Sequence, residues 1–152
     1  MKTLADLDVQ RSVIERIGRL NSGSKARWGR MSAHQMLCHL TDSYRVPMGE
    51  KNASSATSLL QRTLVKWVAL NLPMHWPRGV PTRPEVEQGV GGTPSTEFER
   101  DRGELVEIIR RFSDLRPNFE WHAHPIFGAM RASEWQRWGY LHADHHLRQF
   151  GV

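Results

Sequence analysis

The sequence predicts an all-α fold of four or five helices in one domain that spans residues 1–152. Three observations support this prediction. Apolar residues recur at helical spacing in five segments, residues that cap or break helices lie at the segment ends, and a stretch rich in Pro and Gly separates the third segment from the fourth. A chain of 152 residues has the size of one ordinary domain and can bury a substantial core.

The first two helices are predicted from an apolar stripe and from a capping motif. Residues 8–20 carry apolar side chains on one stripe, and the turn-forming residues 21–24 end this helix. Ser32 and Gln35 match a capping box, in which the hydroxyl and the amide satisfy free backbone N–H groups at a helix entrance. The second helix therefore begins after Ser32, and we expect it to span residues 33–46.

The third helix is predicted over residues 55–70, with Leu60, Leu64, Trp67 and Val68 on its apolar side. The chain from residue 72 to residue 94 follows it, with five Pro and four Gly residues that leave little room for regular structure. A loop of this length in a compact domain fits a crossover between two helices that lie far apart.

The remaining segments complete the helical prediction. Ser95 or Thr96 is expected to cap a fourth helix, which Pro117 ends. Residues 118–130 are interpreted as a structured loop, and the last helix is predicted over residues 132–150. The buried stripe of the fourth helix is expected to consist of Leu105, Ile108, Ile109 and Phe112.

Composition and charge limit the classes of function. The formal net charge of +5 is spread along the chain without a dense Lys/Arg block, and this diffuse positive charge favours anionic ligands. The sequence contains no nucleic-acid recognition motif, so we expect no nucleic-acid partner. No apolar run is long enough to span a membrane, and residues 1–8 lack the apolar core of a secretory signal. We therefore expect a cytoplasmic protein without a membrane partner. A single cysteine excludes an intramolecular disulfide.

Three histidines lie near the end of the last predicted helix. His142 and His146 are four positions apart and project from the same face. Spacings of three and four residues both allow two imidazoles to bind one ion, so His142 can pair with His145 or with His146. His146 is better placed to face the interior, because it shares a stripe with His142, Trp135 and Gln149.

His39 is a third candidate ligand, on the inner stripe of the second helix with Met36 and Leu40. A polar ring on a buried face needs a partner. Asp42, three residues further on, can hydrogen-bond this ring from the next turn, as carboxylates do behind metal-bound histidines. Three neutral imidazoles around one divalent ion leave a position for water or substrate, which is typical of catalytic sites. The alternative is that these histidines bind no metal.

The other polar candidates receive structural interpretations. His34 is expected in the exposed first turn of the second helix, on a different face from His39. Cys38 is expected to be a small buried residue, since neighbours on a helix point about 100° apart and do not share a ligand site. His122 and His124 are expected to stabilise a turn or to line the mouth of a pocket.

Residues 34–39 (His-Gln-Met-Leu-Cys-His) and 142–149 (His-Ala-Asp-His-His-Leu-Arg-Gln) together resemble the DinB-like superfamily of metal-binding four-helix bundles. Residues 124–128 (His-Pro-Ile-Phe-Gly), Glu134-Trp135 and residues 146–151 (His-Leu-Arg-Gln-Phe-Gly) are similar to a bacterial branch of unknown function. The resemblance covers nearly the whole chain and implies an up-down-down-up bundle with the Pro/Gly-rich crossover.

The resemblance also implies a ligand set. One histidine of the second helix and two histidines of the last hold a divalent metal in that family, commonly zinc or nickel, and by position these are His39, His142 and His146. Three further residues are expected to orient these ligands: Asp42, His145 and Gln149. Many members place Arg-Gly-Gln after the second paired histidine, whereas this chain has Leu-Arg-Gln at residues 147–149.

The resemblance implies an activity on a small molecule. Relatives include transferases that use low-molecular-weight thiols, so we expect a metal-dependent thiol S-transferase or a hydrolase, with a homodimer left open. The basic surface suits a thiol that carries a carboxylate. No residue stands out as a general base, and this counts against hydrolysis. The alternatives are a non-catalytic protein that binds a metal or a small ligand, and an interaction module without metal.

Overall fold

A computed structural model describes residues 1–116 and 118–152, and within these residues the chain is all-α and contains no β-strand. The predicted fold class is therefore confirmed. A π-helical turn at Gln61–Val65 leads directly into the third helix, and a 3-10 turn lies at Pro84–Val86. The described part of the chain contains five α-helices: α1 (Leu7–Gly18), α2 (Ala33–Arg45), α3 (Lys66–Asn71), α4 (Phe98–Ser113) and α5 (Ala132–Gln149).

Two of the helix starts show how side chains satisfy free backbone N–H groups. The Asp6 carboxylate accepts hydrogen bonds from the N–H groups of Asp8 and Val9 at the start of α1. The capping box at α2 is confirmed, because the Ser32 hydroxyl accepts from the N–H of Gln35 at 3.1 Å and the Gln35 amide oxygen accepts from the N–H of Ser32 at 2.9 Å.

The predicted cap of α4 is wrong by one or two residues. Glu97 caps this helix, since its carboxylate accepts from the N–H groups of Glu99 and Arg100. The N–H and the hydroxyl of Thr96 instead both donate to Asp101, which orients the Thr96 side chain toward that carboxylate. The helix ends at Ser113, and Pro117, predicted to end it, lies outside the described residues.

The third helix begins later than predicted, and its apolar side is not buried. The side chains of Leu60, Leu64 and Trp67 are 58%, 57% and 56% exposed. The π-helical turn places five residues in one turn and shifts the phase of the apolar stripe. Only Leu70 of α3 is buried, where the helix packs against α5.

The core forms where α1 and α2 each pack against both α4 and α5. Tyr44 of α2 is fully buried and donates its hydroxyl hydrogen bond to the carbonyl oxygen of Gly139 on α5 at 2.7 Å. A Cβ atom on Gly139 would lie 2.8 Å from the Phe112 ring and 2.9 Å from Leu4, so glycine permits this close helix contact. The predicted buried stripe of α4 is confirmed.

The segment from residue 72 to residue 94 contains the 3-10 turn and otherwise little regular structure, as predicted. This segment follows α3 and precedes α4 in the chain, and its 3-10 turn packs on α2. Asp42 of α2 is fully buried and accepts hydrogen bonds from the N–H and the hydroxyl of Thr93, both at 2.7 Å. The crossover is thus tied to the helix that carries His39. No helix among the described residues has both the length and the apolar character required to cross a membrane.

Candidate metal centre

Three imidazole rings from two helices meet in the core. His39 comes from α2, and His142 and His146 come from successive turns of α5. The ring centroid of His39 lies 5.3 Å from that of His142 and 4.9 Å from that of His146. The centroids of the two α5 rings are 4.9 Å apart. One nitrogen of each ring lies within 4.8 Å of the other two. This is the spacing at which a single ion can contact all three rings.

The positions of these rings follow from helix geometry and helix packing. A separation of four residues places His142 and His146 on one face of α5, and that face packs against α2. His39 lies on the buried stripe of α2 together with Met36 and Leu40, which are fully buried. Contact between α2 and α5 is therefore what converts two sequence motifs into one cluster.

Two of the rings are oriented by oxygen acceptors. Nδ1 of His39 lies 2.9 Å from the carbonyl oxygen of Val86 in the 3-10 turn, and Nδ1 of His146 lies 2.8 Å from Oε1 of Gln149. The amide group of Gln149 donates to the carbonyl oxygen of Trp28, which settles that its oxygen faces His146. Both Nδ1 atoms therefore carry the proton, and both Nε2 atoms keep a lone pair for a ligand.

His142 has a different environment. Its Nδ1 is buried and has no hydrogen-bond partner among the described residues, although buried polar atoms almost always have one. Its ring is flanked by Trp138 at 4.8 Å and by Trp76 of the crossover at 6.0 Å. An ion bound to His142 would supply a partner that the protein does not, so the three residues fit a metal.

Burial holds the three rings in the state that binds metals. Burial lowers the pKa of His39. Burial also lowers the pKa of His142 and of His146 well below the usual value, and the neighbouring rings of the cluster lower these two pKa values further. The rings are therefore uncharged at neutral pH. Metal ligation requires neutral imidazole, so no proton has to be displaced there.

The predicted bond between Asp42 and the His39 ring is wrong. Both carboxylate oxygens of Asp42 are engaged by Thr93, and Lys51 Nζ lies 3.2 Å from one of them. The His39 ring bonds to Val86 instead. The helical spacing allowed the predicted bond, but the crossover lies against α2 and offers closer partners to both groups.

The other two residues expected to orient ligands differ from each other. Gln149 does so directly through its bond to His146. His145 points away from the meeting point, toward Trp28 and Trp76 at 6.0 and 6.4 Å, and its ring contacts only the edge of His146. His145 is partly exposed, and burial lowers its pKa.

Among the remaining candidates, His124 stabilises a turn as predicted, since its Nδ1 accepts from the N–H groups of Ile126 and Phe127 at 3.0 Å each. His34 is not in an exposed first turn: it is partly buried, and its Nε2 lies 2.7 Å from Asp101 Oδ2. Cys38 is buried, as predicted, and burial raises its pKa to about 11.

The cluster of His34, Cys38 and Asp101 was missed by sequence reasoning. The signal that could have found it is the four-residue spacing of His34 and Cys38, the same spacing as His142 and His146. Val86 was also missed. Its carbonyl oxygen belongs to the backbone, so no residue type in the sequence signals its role.

The described residues enclose two cavities at the end of α5, and none of the three histidines lines either of them. One cavity of about 280 Å³ is lined by Arg27, Trp28, Arg78 and Arg148. The other, of about 250 Å³, is lined by Trp76 and His145 among others, and Arg148 borders both. The Arg78 guanidinium lies over the Trp28 ring at 4.3 Å, so the walls of the first cavity combine positive charge with an aromatic face.

Comparison with protein families matches residues 1–151 to the family described as "Protein of unknown function (DUF1569)". No curated protein and no solved structure matches this chain.

Proposed function

The chain belongs to DUF1569, a family of unknown function, and from the geometry of its own residues we propose that it binds a divalent metal, zinc or nickel, through His39, His142 and His146. The observation that carries this proposal is the convergence of three uncharged rings whose nitrogens lie within 4.8 Å of one another. Two of these rings already have their second nitrogen bonded to an oxygen acceptor, as metal-bound histidines typically do.

We further propose that the fold is the up-down-down-up four-helix bundle of the DinB-like superfamily. In support, α1 and α2 each contact both α4 and α5, which is the closed set of neighbours that four bundled helices make. The long segment between residues 72 and 94 suits a crossover that lets two successive long helices run in the same direction.

The chemistry that fits this site best is thiol transfer to a small electrophile. A divalent ion held by three imidazoles keeps a free position and, when bound, lowers the pKa of a thiol or water placed there. The carboxylate of Asp42, three residues after His39 on α2, is occupied by Thr93 and Lys51. A thiol loses its proton more readily than water, so a site at which Asp42 is already occupied favours a thiol over a hydrolytic reaction.

The cavity lined by arginines indicates what the small molecule carries. Arg27 and Arg78 form no ion pair with a carboxylate among the described residues, and Arg148 reaches Asp144 only at 4.0 Å. Three guanidinium groups held together repel one another, and an anion between them relieves this repulsion. A carboxylate-bearing thiol therefore suits this protein, with its anionic group bound in the arginine-lined cavity.

Metal analysis of matched variants tests the binding proposal. We expect His142→Ala to lower the zinc or nickel content of the purified protein by one equivalent per chain. His145→Ala is the matched control, because it removes a neighbouring ring of the same helix that does not belong to the group of three donor rings, and it should leave the metal content unchanged. An unchanged metal content in His142→Ala would contradict the ligand assignment.

An activity assay tests the reaction. We expect the metal-loaded protein to conjugate a carboxylate-bearing thiol to a chromogenic electrophile such as chlorodinitrobenzene, and we expect Arg78→Ala to raise the KM for that thiol more than it lowers kcat. A neutral thiol of similar size should show no such change. Loss of metal without loss of conjugation would contradict a metal-dependent transferase.

A non-catalytic metal-binding protein is the second candidate, favoured by two observations. The Trp76 ring flanks His142 at 6.0 Å, and neither cavity is lined by the three ligands. Chelation separates the two candidates. If the metal serves only the fold, chelation should lower the melting temperature strongly, because metal binding to a preformed site adds directly to stability. The metal-loaded protein should then conjugate no thiol.

A further inference from the structure

A second cluster of metal-ligating side chains lies on the other side of α2, between this helix and α4. His34 and Cys38 are one helical turn apart, and Asp101 faces them from the first turn of α4. Asp101 Oδ2 lies 2.7 Å from Nε2 of His34 and 3.5 Å from Sγ of Cys38. All three donor atoms lie within 4.8 Å of one another.

We propose that His34, Cys38 and Asp101 form a second site for a divalent metal of borderline softness, zinc or cobalt, separate from the three-histidine centre. One nitrogen, one sulfur and one carboxylate oxygen form a donor set that zinc accepts in proteins. The Ser95 hydroxyl, 3.7 Å from the sulfur, or a water molecule provides a fourth ligand.

The distances between the donor atoms are close to those that an ion requires. Tetrahedral zinc with bonds of about 2.0–2.3 Å places its ligand atoms about 3.4 Å apart. The sulfur and the Asp101 oxygen already have this separation. The His34 nitrogen must move outward by less than about 1 Å by the same geometry, and its ring is free to do so because it is partly exposed and is held otherwise by edge contact with Phe98.

The groups around the cluster support a metal-bound carboxylate. Asp101 accepts hydrogen bonds from the N–H and the hydroxyl of Thr96. These bonds remain when an ion replaces the protons that His34 and Cys38 direct at the carboxylate. On binding, the thiol proton of Cys38 leaves to solvent, and the Nε2 proton of His34 moves to Nδ1 or also leaves. The ion then balances two negative ligands, so the buried cluster becomes neutral.

The two sites are chemically different, which makes them separable by experiment. The three-histidine centre contains no sulfur, whereas the second site has Cys38, the single cysteine of the chain. Cys38 and His39 are neighbours in sequence but point about 100° apart on the helix, so they serve different sites. A thiolate bound to cobalt absorbs in the near ultraviolet, and imidazole ligands do not produce this charge-transfer band.

Titration of the metal-free full chain with cobalt(II) tests the proposal. We expect two equivalents per chain and a thiolate-to-cobalt band. Cys38→Ala should lose one equivalent together with the band, and His142→Ala should lose one equivalent and keep the band. His34→Ala, at a partly exposed ring, should weaken cobalt binding at the second site at least tenfold, and it serves if Cys38→Ala does not fold.

The results that overturn the proposal are distinct from those that overturn the three-histidine centre. One equivalent of cobalt without a thiolate band excludes the second site and leaves the first intact. Two equivalents in a folded Cys38→Ala variant also exclude it. A thiolate band that survives in His142→Ala while its second equivalent is lost supports both sites at once.

Discussion

Replacing His124 with Asn should make this protein markedly less sensitive to acid. Nδ1 of His124 accepts hydrogen bonds from the N–H groups of Ile126 and Phe127, so the folded ring has no room for a proton on that atom. Burial lowers the pKa of His124 from 6.5 to about 3. An Asn side chain can accept the same two bonds and does not titrate.

The size of the effect follows from the difference in proton binding. Between pH 6.5 and about pH 3 the unfolded chain binds a proton at this ring and the folded chain does not. The stabilisation is therefore complete above pH 6.5 and is lost as the pH falls below it. Each pH unit costs about 1.4 kcal/mol, and the whole interval costs about 5 kcal/mol, comparable to the total stability of many domains.

Urea unfolding of the metal-free protein at several values between pH 7 and pH 4.5 measures this effect. The slope of the unfolding free energy against pH should be smaller in His124→Asn by about 1.4 kcal/mol per pH unit. The variant also loses packing against Phe127, whose ring stacks on His124 at 4.5 Å, so stability at a single pH is not the readout. Equal slopes in the two proteins would refute the reasoning.

Three further predictions concern the metal centre and the core. The zinc affinity of the three-histidine site, titrated in Cys38→Ala, should change less than tenfold between pH 7.5 and pH 5.5, because burial lowers the pKa of all three ligands. Three rings with an ordinary pKa would lose about 1000-fold in zinc affinity over the same interval. Gln149→Leu should weaken zinc binding by about 10–100-fold in a competition assay, because the acceptor behind His146 is lost; an unchanged affinity would show that this bond does not support the ligand. Gly139→Ala should destabilise the fold by about 1–3 kcal/mol in urea unfolding, because its Cβ would overlap the Phe112 ring, while Gly103→Ala, with open space around it, should stabilise by about 0.5–1 kcal/mol. Changes of the same sign in both glycine variants would contradict this account of the core.

The prediction of helices succeeded where the signals were local. The capping box at Ser32 and Gln35 requires only three residues in sequence, and it formed as expected. The prediction of the α4 cap failed because Asp101 accepts hydrogen bonds from Thr96, and Glu97 caps the helix instead. The prediction that the apolar side of the third helix is buried failed for another reason. An apolar stripe indicates a helix, but the stripe does not show which other element would cover that side.

The site shows the same division. Four-residue spacing places His142 and His146 on one face whatever the rest of the chain does. Their meeting with His39 needs α2 and α5 to pack against each other, and the acceptors Val86 and Gln149 were distinguishable from Asp42 only once the crossover and the end of α5 were in place.

The amino-acid sequence alone therefore determined the helical class, most helix positions and the pairs of side chains that share a helix face, because these depend on contacts between residues a few positions apart. The tertiary structure decided which pairs meet, which partner each ring bonds and which apolar stripe stays exposed. These outcomes depend on contacts between residues tens of positions apart, where burial and competition among hydrogen-bond partners select one arrangement from several that the local pattern allows.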